Sequence, residues 1–158
     1  MIVTAVLVKE LRDTSGAGMM DAKKALLETS GDMDAAIDWL RTKGLAKAAK
    51  KSDRTAAEGL VCLKIEGGSA VALEVNSETD FVAKNDEFQT LVLQLTDAAA
   101  GCDSLKDLNE LKIDGKTTED LVSEKIAKIG ENMSVRRLRK LVGENIYMYV
   151  HNSVSSNM

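Results

Sequence analysis

Apolar residues recur at helical spacing three times before residue 44. Thr4 can cap a first helix whose apolar positions Val3, Val6, Leu7 and Leu11 leave Lys9 and Arg12 outside, ending near Thr14-Ser15-Gly16. After a turn at Gly16-Ala17-Gly18, the positions Met19, Met20, Lys23, Leu26 and Leu27 predict a second helix that Gly31 closes. Asp32 then caps a third, with Met33, Ala36, Ile37 and Leu40 inward, Trp39 near that face, and Gly44 as its C-terminal stop. The pattern predicts a compact three-helix bundle over residues 1–44, close to the lower size limit for independent folding. A module of that kind suits binding better than catalysis.

Residues 45–57 are rich in Ala and Lys with no apolar stripe, which predicts a basic linker, helical or extended. The period then changes from helical to two. Val61, Leu63 and Ile65 alternate, Gly67-Gly68 supplies a turn, and Val71, Leu73 and Val75 continue in a partner strand. An apolar sheet face needs a cover, and the stripe Phe88, Leu91, Val92, Leu95 and Ala99 after an Asn85 cap predicts the helix that supplies it. Residues 102–116 read as an irregular polar connection. A further helix runs from a Thr117 or Thr118 cap through Leu121, Val122, Ile126 and Ile129 to Gly130. From Met133 to Val142 the alternation slips by one at Arg136-Arg137, as a β-bulge would make it. Ile146, Met148 and Val150 alternate once more and predict a final strand. The whole reads as α+β: the bundle, the linker, a core subdomain over 58–142, and at 143–158 the start of an incomplete second core half.

Between the second strand and its covering helix lies Glu74-Val75-Asn76-Ser77-Glu78-Thr79-Asp80-Phe81-Val82-Ala83-Lys84, where the period of two breaks at an acidic elbow. Phe81 stands there beside Asp80 and is one of only two phenylalanines, so its placement matters. An aromatic in that position serves as a local core plug or as a projecting wedge, and the pattern alone does not choose. Ile129-Gly130-Glu131-Asn132 is a second exposed elbow.

Composition narrows the chemistry. With 158 residues and two cysteines, Cys62 and Cys102, far apart and at no ligand spacing, the chain needs neither disulfide nor metal and is expected to keep reduced thiols in the cytoplasm. No apolar run approaches a membrane span, and no signal-peptide pattern opens the chain. The single histidine, His151, leaves no nucleophile and base to pair, and no phosphate-loop or dinucleotide fingerprint occurs, so no catalytic residues, cofactor or metal are expected. His151 at a strand end reads as a polar surface group, a proton switch or a contact residue. A net charge of −4 disfavours a dedicated nucleic-acid binder. Two local basic patches, Lys43 to Arg54 and Arg136 to Lys140, nevertheless keep an RNA- or ribosome-associated adaptor in view as the alternative.

Two stretches carry a specific resemblance. Leu11-Arg12-Asp13-Thr14-Ser15-Gly16-Ala17-Gly18-Met19-Met20-Asp21-Ala22-Lys23-Lys24-Ala25-Leu26 and the elbow Glu74 to Lys84 both resemble the bacterial elongation factor Ts family, with Ser15 standing where the family usually has threonine. The resemblance implies a ubiquitin-associated-like N-terminal bundle and a nucleotide exchange role toward the GTPase elongation factor Tu. It implies that Lys23 and Lys51 dock on the partner's G domain. It further implies that Asp80 and Phe81 enter near the partner's magnesium and phosphate region, that Ile129 and Gly130 line the same contact, and that His151 joins it. The family has a second core half, a dimerisation hairpin and a C-terminal module beyond these elements, so this chain is similar to an N-terminal fragment, and the resemblance leaves self-association open to the full-length protein.

Overall fold

The computed structural model describes residues 3–151 and 153. Thr4, extended, accepts the Leu7 N–H on its hydroxyl and starts α1 (Ala5–Ser15), which Gly16 ends in the left-handed region at φ 67°. α2 (Met19–Glu28) comes next, and Asp32 opens α3 (Met33–Ala49) by accepting the Ala35 N–H at 2.9 Å. The three helices enclose a core of Val8, Leu11, Ala22, Ala25, Leu26 and Ala36.

The structure decides which faces of the first two helices are buried. Val6 is exposed and Val8 is buried in its place. In α2 the buried face is Ala22, Ala25 and Leu26, while Met19, Met20 and Leu27 lie outside. Small alanines let the helix backbones approach closely, and the bulkier side chains of α2 are left on the solvent side. Gly44, expected to stop the third helix, lies inside it. A Cβ there would stand 3.6 Å from the Ala127 Cβ, so the position is a close crossing rather than a terminus. α3 therefore runs on into the expected linker, and Ala48 joins the second core.

That core lies under a three-stranded antiparallel sheet in the order β1 (Glu58–Glu66), β2 (Ser69–Ser77), β5 (Met133–Val142). Cys62 pairs with Leu73 and Leu73 with Leu138, and these three side chains point inward together with Val71 and Val75. On β1 the inward residues are thus Leu60 and Cys62, whereas Val61 and Ile65 of the expected apolar face are exposed. The partner strand decides that register, because a strand with apolar residues on both faces can be seated either way. The slip at Arg136 is a bulge: Glu74 faces Arg137 and Val75 faces Val135.

Between β2 and β5 come α4 (Asp80–Ala83), α5 (Asp86–Ala99), α6 (Leu105–Glu110), a hairpin of β3 (Lys112–Ile113) and β4 (Lys116–Thr117), and α7 (Thr118–Ile129). Asn85 caps α5, and Phe88, Leu91, Val92, Leu95 and Ala99 cover the sheet as predicted. The connection at 102–116 is more ordered than expected. Ser104 and Asp107 form a capping box that starts α6 and buries Leu108, and Asp114-Gly115, both at positive φ, turn the hairpin. The strand expected at 146–150 does not form, and Tyr147 and Tyr149 are exposed, since alternation yields a strand only where a neighbour supplies the ladder. Residues 152 and 154–158 of the expected polar tail lie outside the described residues. Mixed helices and antiparallel sheet, with the bundle first, make the fold α+β.

Candidate functional site

β2 leaves the sheet at Ser77, and side-chain hydrogen bonds organise the turn beyond it. Thr79 is extended, and its hydroxyl accepts the Val82 N–H at 3.4 Å, capping the single turn of α4. Val82 and Ala83 are buried beneath that turn, whereas Phe81 is 80% exposed. Of the two readings of Phe81, core plug or projection, the structure selects the projection; the plug is Phe88, fully buried seven residues on. Asp80 is exposed beside it and accepts from Lys84 at 2.8 Å. The Lys84 ammonium holds the Asp80 carboxyl below its ordinary range, so the elbow presents a fixed negative charge next to an aromatic ring at neutral pH.

The second elbow lies against the first. α7 ends at Gly130 (φ 93°), whose N–H donates to the Ile126 carbonyl. The Glu131 carboxylate then accepts from Thr79 twice, from the backbone N–H at 3.0 Å and from the hydroxyl at 2.7 Å, across 52 residues of sequence. In return Glu78 accepts the Asn132 N–H. Asp80 and Phe81 are thereby joined to the loop that carries Ile129 and Gly130, with Gly130 exposed and Ile129 half-buried against the second core.

Asn132 extends the junction to a third segment. Its side-chain amide donates to the Ser52 carbonyl at 3.3 Å and the Arg54 carbonyl at 2.7 Å, and Arg54 lies 3.5 Å from Glu78. Lys51, the residue before Ser52 and the one the family resemblance pairs with Lys23, is thus carried on a turn tied to the elbows. Lys23 lies elsewhere, exposed on α2. At i, i+3 and i+7 it shares a helix face with Met20, 74% exposed, and Leu27, 59% exposed. Their spacing predicted the helix without saying which side is buried; the signal for the buried face was the alanine pair Ala22 and Ala25. His151 is exposed, with its ring nitrogen 3.0 Å from the Tyr149 hydroxyl, and no described hydrogen bond joins it to the elbows.

The chemistry available here is that of contact. A cleft between the bundle and α7 is lined by Arg12, Asp21, Lys43, Asp120 and Lys128 among others, and a smaller one by Asn109, Thr118 and Val135. Lys23, Lys51, Asp80, Phe81, Ile129, Gly130 and His151 line neither. Among the described residues no group of three or more His, Cys, Asp or Glu is placed to hold a metal, and no helix is long and apolar enough to cross a membrane. What the site offers is an exposed ring and carboxylate on a clamped turn.

Comparison with known proteins places this turn in a family context. The family model described as elongation factor TS matches residues 78–157, beginning at Glu78 of the clamp itself. The elongation factor Ts of Ruegeria pomeroyi is 63% identical over the whole chain, which covers 54% of that relative. Those of Dinoroseobacter shibae and a Jannaschia species are 62% and 61% identical, each again matched over the whole of this chain and 54% of its own length. The chain thus spans about half the length of these relatives. The family model covers half of the chain, from the facing elbows at Glu78 and Glu131 through β5 to the C-terminal segment, and the chain belongs to the elongation factor Ts family.

Proposed function

We propose that this chain works in translation elongation, in the cytoplasm, as a guanine nucleotide exchange factor that releases GDP from elongation factor Tu. It makes and breaks no covalent bond. The observation that carries the reading is Phe81: a large apolar side chain, 80% exposed, on a one-turn helix fixed to a second loop. An exposed aromatic beside a charge-stabilised carboxylate is ready to be buried in a partner. The bundle face of Met20, Lys23 and Leu27, together with Lys51, docks on the partner's G domain, while Asp80 and Phe81 enter near its magnesium and phosphates, with Ile129, Gly130 and His151 in the same contact.

Exchange is a consequence of linkage. A factor that weakens nucleotide binding is itself weakened by nucleotide to the same degree, with couplings typically about 1 to 3 kcal/mol. Burying a Phe side chain completely is worth about 1.5 to 3 kcal/mol, enough to offset a disturbed metal site of that order. A cationic RNA-binding face has less to recommend it, because Lys43 and Lys47 are both held by Asp21 at 2.7 Å, Arg137 pairs with Glu74, and Lys140 with Asp103. The test is stopped-flow release of a fluorescent GDP from elongation factor Tu. The chain should accelerate release and Phe81→Ala should abolish most of the acceleration while keeping the fold. Equal release with and without the chain, or with and without the Phe81 ring, would overturn the proposal.

A further inference from the structure

We infer that Glu131 is a positioning residue for Phe81, acting through Thr79; this rests on the exchange reading above. A four-residue helix does not hold itself, since nucleating a single turn is unfavourable. α4 must therefore be oriented from outside. Thr79 supplies its cap, and both Thr79 donors go to Glu131: the N–H to Oε2 at 3.0 Å and the hydroxyl to Oε1 at 2.7 Å. A hydroxyl has one proton to give. With that proton committed to Glu131, the Thr79 oxygen keeps its lone pairs for the Val82 N–H, the bond that starts α4. Removing the carboxylate frees the hydroxyl to rotate and leaves the half-buried Thr79 N–H without its acceptor, so the turn carrying Phe81 loses its reference to the second elbow.

The reciprocal bond from the Asn132 N–H to Glu78, and the two that Asn132 gives to the turn at Ser52 and Arg54, hold the Glu131 backbone in place. Glu131 thus reaches the Thr79 cap from a backbone that is itself held at two points. Its role is to fix the direction in which Phe81 projects, without reaching the nucleotide itself.

The experiment measures GDP release from elongation factor Tu against concentration of the chain, which separates apparent affinity from maximal rate. The variants are Glu131→Ala, Glu131→Gln, Phe81→Ala and the double variant Glu131→Ala/Phe81→Ala, each checked for fold by circular dichroism. Glu131→Ala should lower the maximal rate about tenfold, a loss of the kind that misplacement of a working group produces, with little change in affinity. Glu131→Gln keeps one acceptor oxygen and should fall between. The double variant should be no slower than Phe81→Ala alone, because a residue acting through Phe81 has nothing left to position. Additive losses, or a Glu131→Ala variant as fast as the parent, would overturn the inference. Should Glu131→Ala fail to fold, Glu131→Gln, which removes one of the two bonds and leaves the Thr79 hydroxyl in place to cap α4, takes its place under the same criteria. A chain whose Phe81→Ala variant releases GDP at the parental rate removes the exchange reading itself; slow Phe81→Ala beside normal Glu131→Ala removes only this inference.

Discussion

Gly44 of α3 and Ala127 of α7 meet so closely that a Cβ at Gly44 would sit 3.6 Å from the Ala127 Cβ, an ordinary van der Waals distance with nothing to spare. This crossing seats the bundle on the second core. Alanine fits there, and replacing a glycine inside a helix by alanine gains about 0.5 to 1 kcal/mol. Gly44→Ala should therefore raise the urea midpoint slightly. Gly44→Leu should lower it, because the added carbons must push α7 away or leave their rotamers.

The two phenylalanines should respond in opposite senses. Phe88 is fully buried between α5 and the sheet, and truncating a buried Phe costs about 3 to 5 kcal/mol. Phe88→Ala should then melt far below the parent. Phe81→Ala, at an exposed position, should stay within about 0.5 kcal/mol of it. Thermal unfolding monitored by circular dichroism distinguishes the pair, and equal destabilisation would contradict the burial.

Asp21 predicts a pH dependence. Hydrogen bonds from Lys43 and Lys47, each 2.7 Å, hold its carboxyl below the ordinary carboxylate value despite partial burial. A group whose folded pKa is depressed stabilises the fold above its unfolded pKa, about 3.9, and loses that contribution as pH falls through the folded value. The urea-midpoint difference between the parent and Asp21→Asn should be steady at neutral pH and close as the pH is lowered below about 4. A difference that persists undiminished in acid would show that charge is not its source.

Gly59 has no room for a side chain. Its φ of 126° lies in the region L-residues avoid, and a Cβ would come within 2.2 Å of the Val75 carbonyl oxygen on β2. Gly59→Ala should cost at least about 2 kcal/mol in chemical denaturation. Gly18, at an ordinary φ of −65° with open space around it, should lose much less on the same replacement, the cost there being that of alanine at a helix cap.

Most elements were legible in the sequence because they rest on local chemistry. Thr4, Asp32 and Asn85 cap helices with side chains that act within three residues, and the Arg136 bulge is visible as a slip in alternation. The capping box at Ser104 and Asp107 was equally local, and could have revealed α6. The candidate residues Asp80 and Phe81 stood out by an elbow pattern that needs no partner to be seen.

What the sequence by itself determined was therefore the kind and order of most elements, though not α6, the β3–β4 hairpin or the fate of 146–150, together with the covering stripe on α5 and an elbow holding an acid and an aromatic. Tertiary structure decided which face each ambiguous element buries. Met20 and Leu27 point outward because alanines make the tighter helix contact, Cys62 points inward because Leu73 fixes its register, and α3 continues past Gly44 because Ala127 receives it. It decided the site as well. Thr79 and Glu131 are 52 residues apart, and nothing local could show that the carboxylate of one elbow holds the cap of the other. Periodicity reports a residue's neighbours along its own element, whereas burial and projection are set by what lies across the gap.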